Sequence, residues 1–373
     1  MRRIVDTVLP TTMVGSYPRP KWFKDQLLGR DIRVAFKAVD HAEAFDDATR
    51  IAIRDQEEAG LDIVTDGQMY FDDYVGVIGS FCWYLYERIP GFDAAKEEHP
   101  SAVGAAERTK DIALLSDWGG VVNSGPVGPG PLRLADLYKA AAAHATRPLK
   151  VSVGAGPINL AWHVYFNHYK NPRELSEALA PIFNAEMKAL VAAGAKFLQF
   201  EDLGAWLPLF TGDKNDFRWI ADVVRQCVDG VDAKIAWHFC YGNAWGNRLS
   251  GLIQQGYEAV LPYFYDVPVD QFVLDFANRD MVDIGSLKDL PEDKEVGIGV
   301  VDVRTSMVET PQEIAERIRT VIAVVPPERV YLTTDCGMKP LARPIARMKL
   351  EALVKGAQMV RQELGVRQLV VSA

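Results

Sequence analysis

Apolar and polar positions along the chain switch repeatedly between two periods, alternation over five to seven residues and recurrence every three or four. Eight stretches read as strands, at 11–16, 62–67, 150–154, 196–201, 234–240, 271–276, 296–302 and 330–335. Helical periodicity fills the stretches between them, at 42–59, 172–193, 217–228, 312–324 and 343–364. Ala59-Gly60 stands before the second strand and Ala193-Gly194 before the fourth. Glycine just past a helix end is the expected terminating chemistry, so both pairs mark helix-to-strand boundaries. Eight alternating β and α units predict a (β/α)8 (TIM) barrel of the α/β class rather than an open doubly wound sheet. No Gly-x-Gly-x-x-Gly opens a helix after an early strand, which counts against the dinucleotide-binding alternative. More than eighty residues separate the second and third strands, too many for one crossover helix. We therefore expect one barrel domain over 1–373 with an insertion between strands 2 and 3, at about 70–148. The insertion begins with aromatic residues, and its stretch 119–131 is rich in Gly and Pro and reads as loop.

Composition narrows the function classes. The chain of 373 residues is 49% hydrophobic and 24% charged, ordinary values for a large buried core. A net charge of −9 argues against a nucleic-acid surface. No run of about 18 apolar residues suggests a membrane span. A soluble, cytoplasmic protein is expected, and a homo-oligomer is compatible with the chain. The four cysteines do not make a disulfide framework in so long a sequence, and core packing is the default for Cys82 and Cys227.

Cys240 and Cys336 stand differently. His238 and Cys240 sit two apart in Trp237-His238-Phe239-Cys240, so a strand presents imidazole and thiol to the same side. Cys336, in Thr334-Asp335-Cys336-Gly337-Met338-Lys339, ends another predicted strand. Two thiols and an imidazole suit Zn2+. A core histidine with two packed cysteines would use the same residue types. Placement separates the two readings, because barrel active sites collect at the C-terminal strand ends where these residues fall.

With these segments in hand, the chain resembles the catalytic domain of cobalamin-independent methionine synthase, and is similar to its short single-domain members. Thr11-Thr12-Met13-Val14-Gly15-Ser16-Tyr17-Pro18-Arg19 is similar to that family's opening segment, and the His-x-Cys-Tyr and Asp-Cys-Gly-x-Lys segments to its zinc-ligand segments. The resemblance implies zinc held by His238, Cys240, Cys336 and a carboxylate at the end of strand six, which falls on Asp275. Asp266 is a weaker competitor, and Asp275 could instead cap the helix that follows it. For the thiol substrate the resemblance implies Ser16, Glu201 and, where the family has Glu, Gln68. It puts His163, with Trp162 beside it, where the family has a stacking Trp. The family's acid histidine falls on Arg304, in Val301-Asp302-Val303-Arg304, so Asp302 and Arg304 are the catalytic candidates. Arginine does not release a proton near neutral pH.

The expected activity is a zinc-dependent S-methyltransferase that activates a small-molecule thiol such as homocysteine. The methyl donor would be a folate or a corrinoid protein. Replacement of Glu by Gln68 and of the histidine by Arg304 keeps a second enzyme open, an epoxyalkane:coenzyme M thiol alkyltransferase with an epoxide as alkyl donor. A non-catalytic zinc-stabilised binding protein is the third reading.

Overall fold

The computed structural model describes residues 2–23, 38–71, 80–94, 121–162, 164–240 and 256–365. Among them the strands are β1 (Val64–Thr65), β2 (Phe92–Ala94), β3 (Val121–Asn123), β4 (Leu149–Ala155), β5 (Val164–Phe166), β6 (Phe197–Glu201), β7 (Lys234–Phe239), β8 (Gln271–Asp275), β9 (Glu295–Val301) and β10 (Val330–Thr334). Seven form one parallel sheet in the order β1-β4-β6-β7-β8-β9-β10. The segment around Thr11 joins its two edges. Leu332 in β10 donates to the Pro10 carbonyl and accepts from Thr12, while the Thr11 carbonyl accepts from Asp62 and Ile63 just before β1. A curled parallel sheet of the TIM-barrel type results. The first expected strand, 11–16, pairs only through the bridge at Thr11, because Gly15 and Ser16 turn away to meet the loops after β1 and β10.

The helices begin and end where their sequence chemistry dictates. Asn171 caps the helix Pro172–Ala192 by accepting from the Glu174 amide, and Gly194 beyond its end takes the left-handed φ of 106°. Thr310 and Glu313 cap one another's backbone at the start of the helix Pro311–Ile322. Between β1 and β4 the chain builds the helices Ser80–Tyr86 and Leu134–His144 and two strands of the small sheet β2-β3-β5. The expectation of loop over 119–131 therefore needs correcting. Val121–Asn123 is a strand, because β5 from beyond β4 comes back to pair with it in parallel. No helix among the described residues is long and apolar enough to cross a membrane.

Inward positions recur every second residue along each stave. Val14, Ile63, Phe197, Ala236, Val273 and Tyr331 pack together there, with Ile4 and Val5 against them. At the strand beginnings the interior is charged. Lys234 pairs with Glu295 and donates to the Arg2 carbonyl at 3.1 Å. Lys150 is 1% exposed, its Nζ has no hydrogen-bond partner among the described residues, and burial pushes its ammonium down to about 7. Below that pH Lys150 is charged whether the chain is folded or not, and the burial cost is fully present. Between about pH 7 and the ordinary 10.5 only the unfolded chain keeps the proton, so stability rises with pH across that window. Lys150→Met should therefore stabilise the protein most at pH 7 and progressively less toward pH 10, as read by urea denaturation. An equal change at both ends would contradict a buried, depressed ammonium.

Candidate metal centre and its surroundings

The register of the parallel strands brings the expected ligands to one rim. Glu201 pairs with His238 across β6 and β7, and Asp275 ends β8 beside them. His238 Nδ1 lies 3.2 Å from the Val273 carbonyl. Donation there puts the ring proton on Nδ1 and leaves the Nε2 lone pair pointing away from the sheet. That Nε2 is buried without a hydrogen-bond partner among the described residues, 4.0 Å from Asp275 Oδ1. Cys240 Sγ and Cys336 Sγ are 3.3 Å apart. One ligand atom from each of His238, Cys240 and Cys336 lies within 4.8 Å of the others. Tetrahedral bonds to zinc would separate such donors by about 3.3–3.8 Å. The donor set fits that metal, with the two sulfurs, 3.3 Å apart, parting to about 3.8 Å around it.

Aromatic side chains fix the backbone beneath the donors. Trp206 Nε1 donates to the Cys240 carbonyl at 3.1 Å. The Tyr257 hydroxyl donates to the Phe239 carbonyl and accepts from the Asp275 amide at 2.7 Å, tying the ends of β7 and β8 together. The alternative role for Asp275, capping the turn that follows, is taken by another residue. The amides of Phe276, Ala277 and Asn278 all donate to the Asp335 carboxylate. Asp266 does not compete for the centre, since it is exposed and paired with Arg225. Cys82 and Cys227 are buried and packed in the core.

The expected substrate residues crowd the same rim. Gln68 Nε2 donates to Glu201 Oε1 at 2.6 Å, and the Ser152 hydroxyl donates to the same oxygen at 3.2 Å. Among the described residues nothing donates to the second oxygen of Glu201. Burial raises the Glu201 carboxyl above its ordinary range, with the His238 imidazole opposing that shift. Gln68 holds a left-handed φ of 53° and is anchored by its amide to Asp66 and by its carbonyl to Arg19. Gly15 makes room for it, since a Cβ there would lie 2.4 Å from Gln68 Nε2. Ser16 touches the backbone beyond Cys336. Its carbonyl accepts from the Met338 amide, and a Cβ on Gly337 would reach 1.9 Å from its Oγ.

Arg304 bridges the ends of β9 and β8, pairing with Asp302 at 3.3 Å and donating to the Asn278 carbonyl. Trp162 ends the short helix Pro157–Trp162, partly buried against the core; His163 lies outside the described residues. Ser152 and Asp335 were passed over in reading the sequence. Ser152 shows the signal that could have found it, an inward position two after Lys150 on the same strand.

The Cys240 thiol beside it, and then burial, hold the Cys336 thiol well above the ordinary range. In metal-free protein at pH 8, Cys336 should alkylate with iodoacetamide at least about ten-fold more slowly than a free thiol, because only the thiolate attacks. The rate, followed by mass spectrometry, should still climb above pH 9. A rate that levels off below pH 8 would contradict the raised thiol.

The chain is 34% identical over 369 residues to a methionine synthase of Saccharolobus solfataricus, covering 96% of both. It is 32% identical to a methionine synthase of Sulfurisphaera tokodaii, covering 96% of this chain and 94% of that one. Among solved structures, a B12-independent methionine synthase from Shewanella sp. W3-18-1 in complex with selenomethionine superposes with a TM-score of 0.79 at 27% identity, covering 97% of this chain and all of that one. Residues 9–359 match the family model described as the catalytic domain of cobalamin-independent synthase, and the chain belongs to that family.

Proposed function

We propose that this protein is a methionine synthase-like, zinc-dependent S-methyltransferase that methylates homocysteine or a closely related thiol. The observation that carries the proposal is the gathering of His238, Cys240 and Cys336 at the C-terminal rim of a barrel in a chain of this family. Those three residues and Asp275 would hold the metal. A zinc ion held there would supply a positive charge that lowers the pKa of an incoming thiol, so that its sulfur could attack as the thiolate. Glu201 offers its second oxygen to the ammonium group of the amino acid, while Gln68 and Ser152 hold the first. Ser16 and Trp162, with His163 beyond the described residues, complete the substrate contacts in this reading. The chain acts as one barrel domain over 1–373, with its excursion at about 70–148, in the cytoplasm, and the sequence leaves room for a homo-oligomer.

In the transfer, a sulfur lone pair forms the new S–CH3 bond as the bond from methyl to donor breaks and leaves its electron pair on the donor. A nitrogen leaving group then takes up a proton. Arg304 is pinned by Asp302 and the Asn278 carbonyl, and a guanidinium is not a general acid. The pair therefore anchors the rim, and donors whose leaving group needs no protonation, such as a corrinoid, suit the site better than a folate. Arg304 also carries the second reading, in which its cation meets the sulfonate of coenzyme M and an epoxide replaces the methyl donor.

Cys240→Ser or Cys336→Ser should remove stoichiometric zinc, read by metal analysis, and abolish thiol methylation. Full metal and full activity in either variant would show the site to be misassigned. Asp275→Ala should weaken zinc binding without eliminating it. Calorimetry on both thiols separates the two enzyme readings. Glu201→Gln should weaken homocysteine binding by about 1.5–3 kcal/mol, the range for a hydrogen bond to a charged group. For coenzyme M the same change should be neutral, and Arg304→Ala the damaging one.

A further inference from the structure

Cys336 and Asp275 are donors on strands that do not touch, since β9 lies between β10 and β8. Their separation is therefore not set by any direct backbone pairing. The Asp335 carboxylate crosses the gap. One oxygen accepts from the amides of Phe276 and Ala277 at 2.9 Å each, and the other from the amide of Asn278 at 2.7 Å. These are the three residues immediately after Asp275. Asp335 itself immediately precedes Cys336, and its own amide donates to the Val301 carbonyl at the end of β9. The side chain is fully buried, so it exchanges with no solvent donors. It reaches across β9 only because position 299 has no side chain: a Cβ on Gly299 would lie 2.2 Å from Asp335 Oδ1. The turn so held also presents the Asn278 carbonyl to Arg304.

We propose that Asp335 is the positioning residue of the metal centre, locking the Asp275 end of β8 to the Cys336 end of β10 through the side-chain gap left at Gly299. The role rests on the zinc reading and adds to it a residue that contacts neither metal nor substrate. Three amide donors converging on a buried carboxylate are strong hydrogen bonds with fixed directions. Losing them leaves the β8 turn free to move relative to Cys336, and a donor set out of place binds metal less tightly.

The test uses the full chain loaded with zinc alone and, separately, with cobalt(II) alone as the optical probe. Asp335→Asn keeps the size of the side chain but turns a donating NH2 toward at least one of the three amides. Gly299→Ala keeps the carboxylate but crowds both its Oδ1 and the Asp335 Cα, 2.2 and 2.7 Å from the new Cβ, so it reads the close approach of β10 to β9 as a whole. Val300→Ala, a core truncation on the outward face of the same strand, serves as the control for general destabilisation. Both test variants should lose zinc affinity by about 10- to 100-fold in chelator competition. Their cobalt ligand-field bands should shift from those of the parent, whereas Val300→Ala should lower thermal stability with the parent's affinity and bands. Parent-like affinity and bands in folded Asp335→Asn would overturn the proposal whatever Gly299→Ala shows. If Asp335→Asn does not fold, Asp335→Ser, which withdraws the acceptor without adding bulk, decides in its place, and if neither folds with zinc in excess, Asp335 is a folding residue and the proposal fails. A parent protein without cobalt–thiolate absorption would sink the metal reading instead, an outcome distinct from all of these.

Discussion

In a parallel barrel whose side chains alternate inward and outward, the last inward residue of each strand arrives at the same rim, and the pairing register decides which residues those are. Here Glu201 stands opposite His238, and Asp275 stands opposite Gly299. Closure of the sheet by Thr11, bonded to Leu332 on one side and to the start of β1 on the other, brings Gly15, Ser16 and Gln68 to the same rim. A one-residue slip in any stave would turn its inward set outward and dismantle the constellation. The chemistry of the site therefore depends first on register and only then on the identity of each donor.

That arrangement costs free energy in the absence of a balancing charge. His238 Nε2 and the Asp275 carboxyl are buried, and two half-buried thiols and the half-buried Glu201 carboxyl crowd beside them. The raised Cys336 thiol and Glu201 carboxyl are the local record of that cost. A divalent cation is the partner that would let thiolate and carboxylate stay ionised together. The hydrogen bonds around the rim serve the same end, since Trp206, Tyr257 and Asp335 all hold backbone rather than donors. Rigid backbone lets the donor atoms converge without each being pinned individually.

Much of this was legible from the chain because it was periodic. Seven of the eight expected barrel strands and the five long helices fall where alternation, 3.6-residue recurrence and helix-ending glycines put them, while the stretch 11–16 pairs only at Thr11. His238 and Cys240 were legible for the same reason, two inward positions at a strand end. What escaped depends on contacts between distant segments. The strand Val121–Asn123 exists because β5, some forty residues later, pairs with it, and its Gly- and Pro-rich neighbourhood masked that. Asp335 looked like one more residue of a motif. Its role needs the three amides after Asp275 and the gap at Gly299, none of which is close to it in sequence. Arg304 was visible as a departure from the family, but its tie to the Asn278 carbonyl was not.

The central claim is that three strand ends of one barrel deliver two sulfurs, one imidazole and one carboxylate to a single metal. Zinc K-edge X-ray absorption on the zinc-loaded protein reads that donor set directly. The account predicts two sulfur scatterers at about 2.3 Å and two lighter donors near 2.0–2.2 Å, one carrying the outer-shell signature of a histidine ring. A shell with one sulfur or none, or without an imidazole, would contradict it.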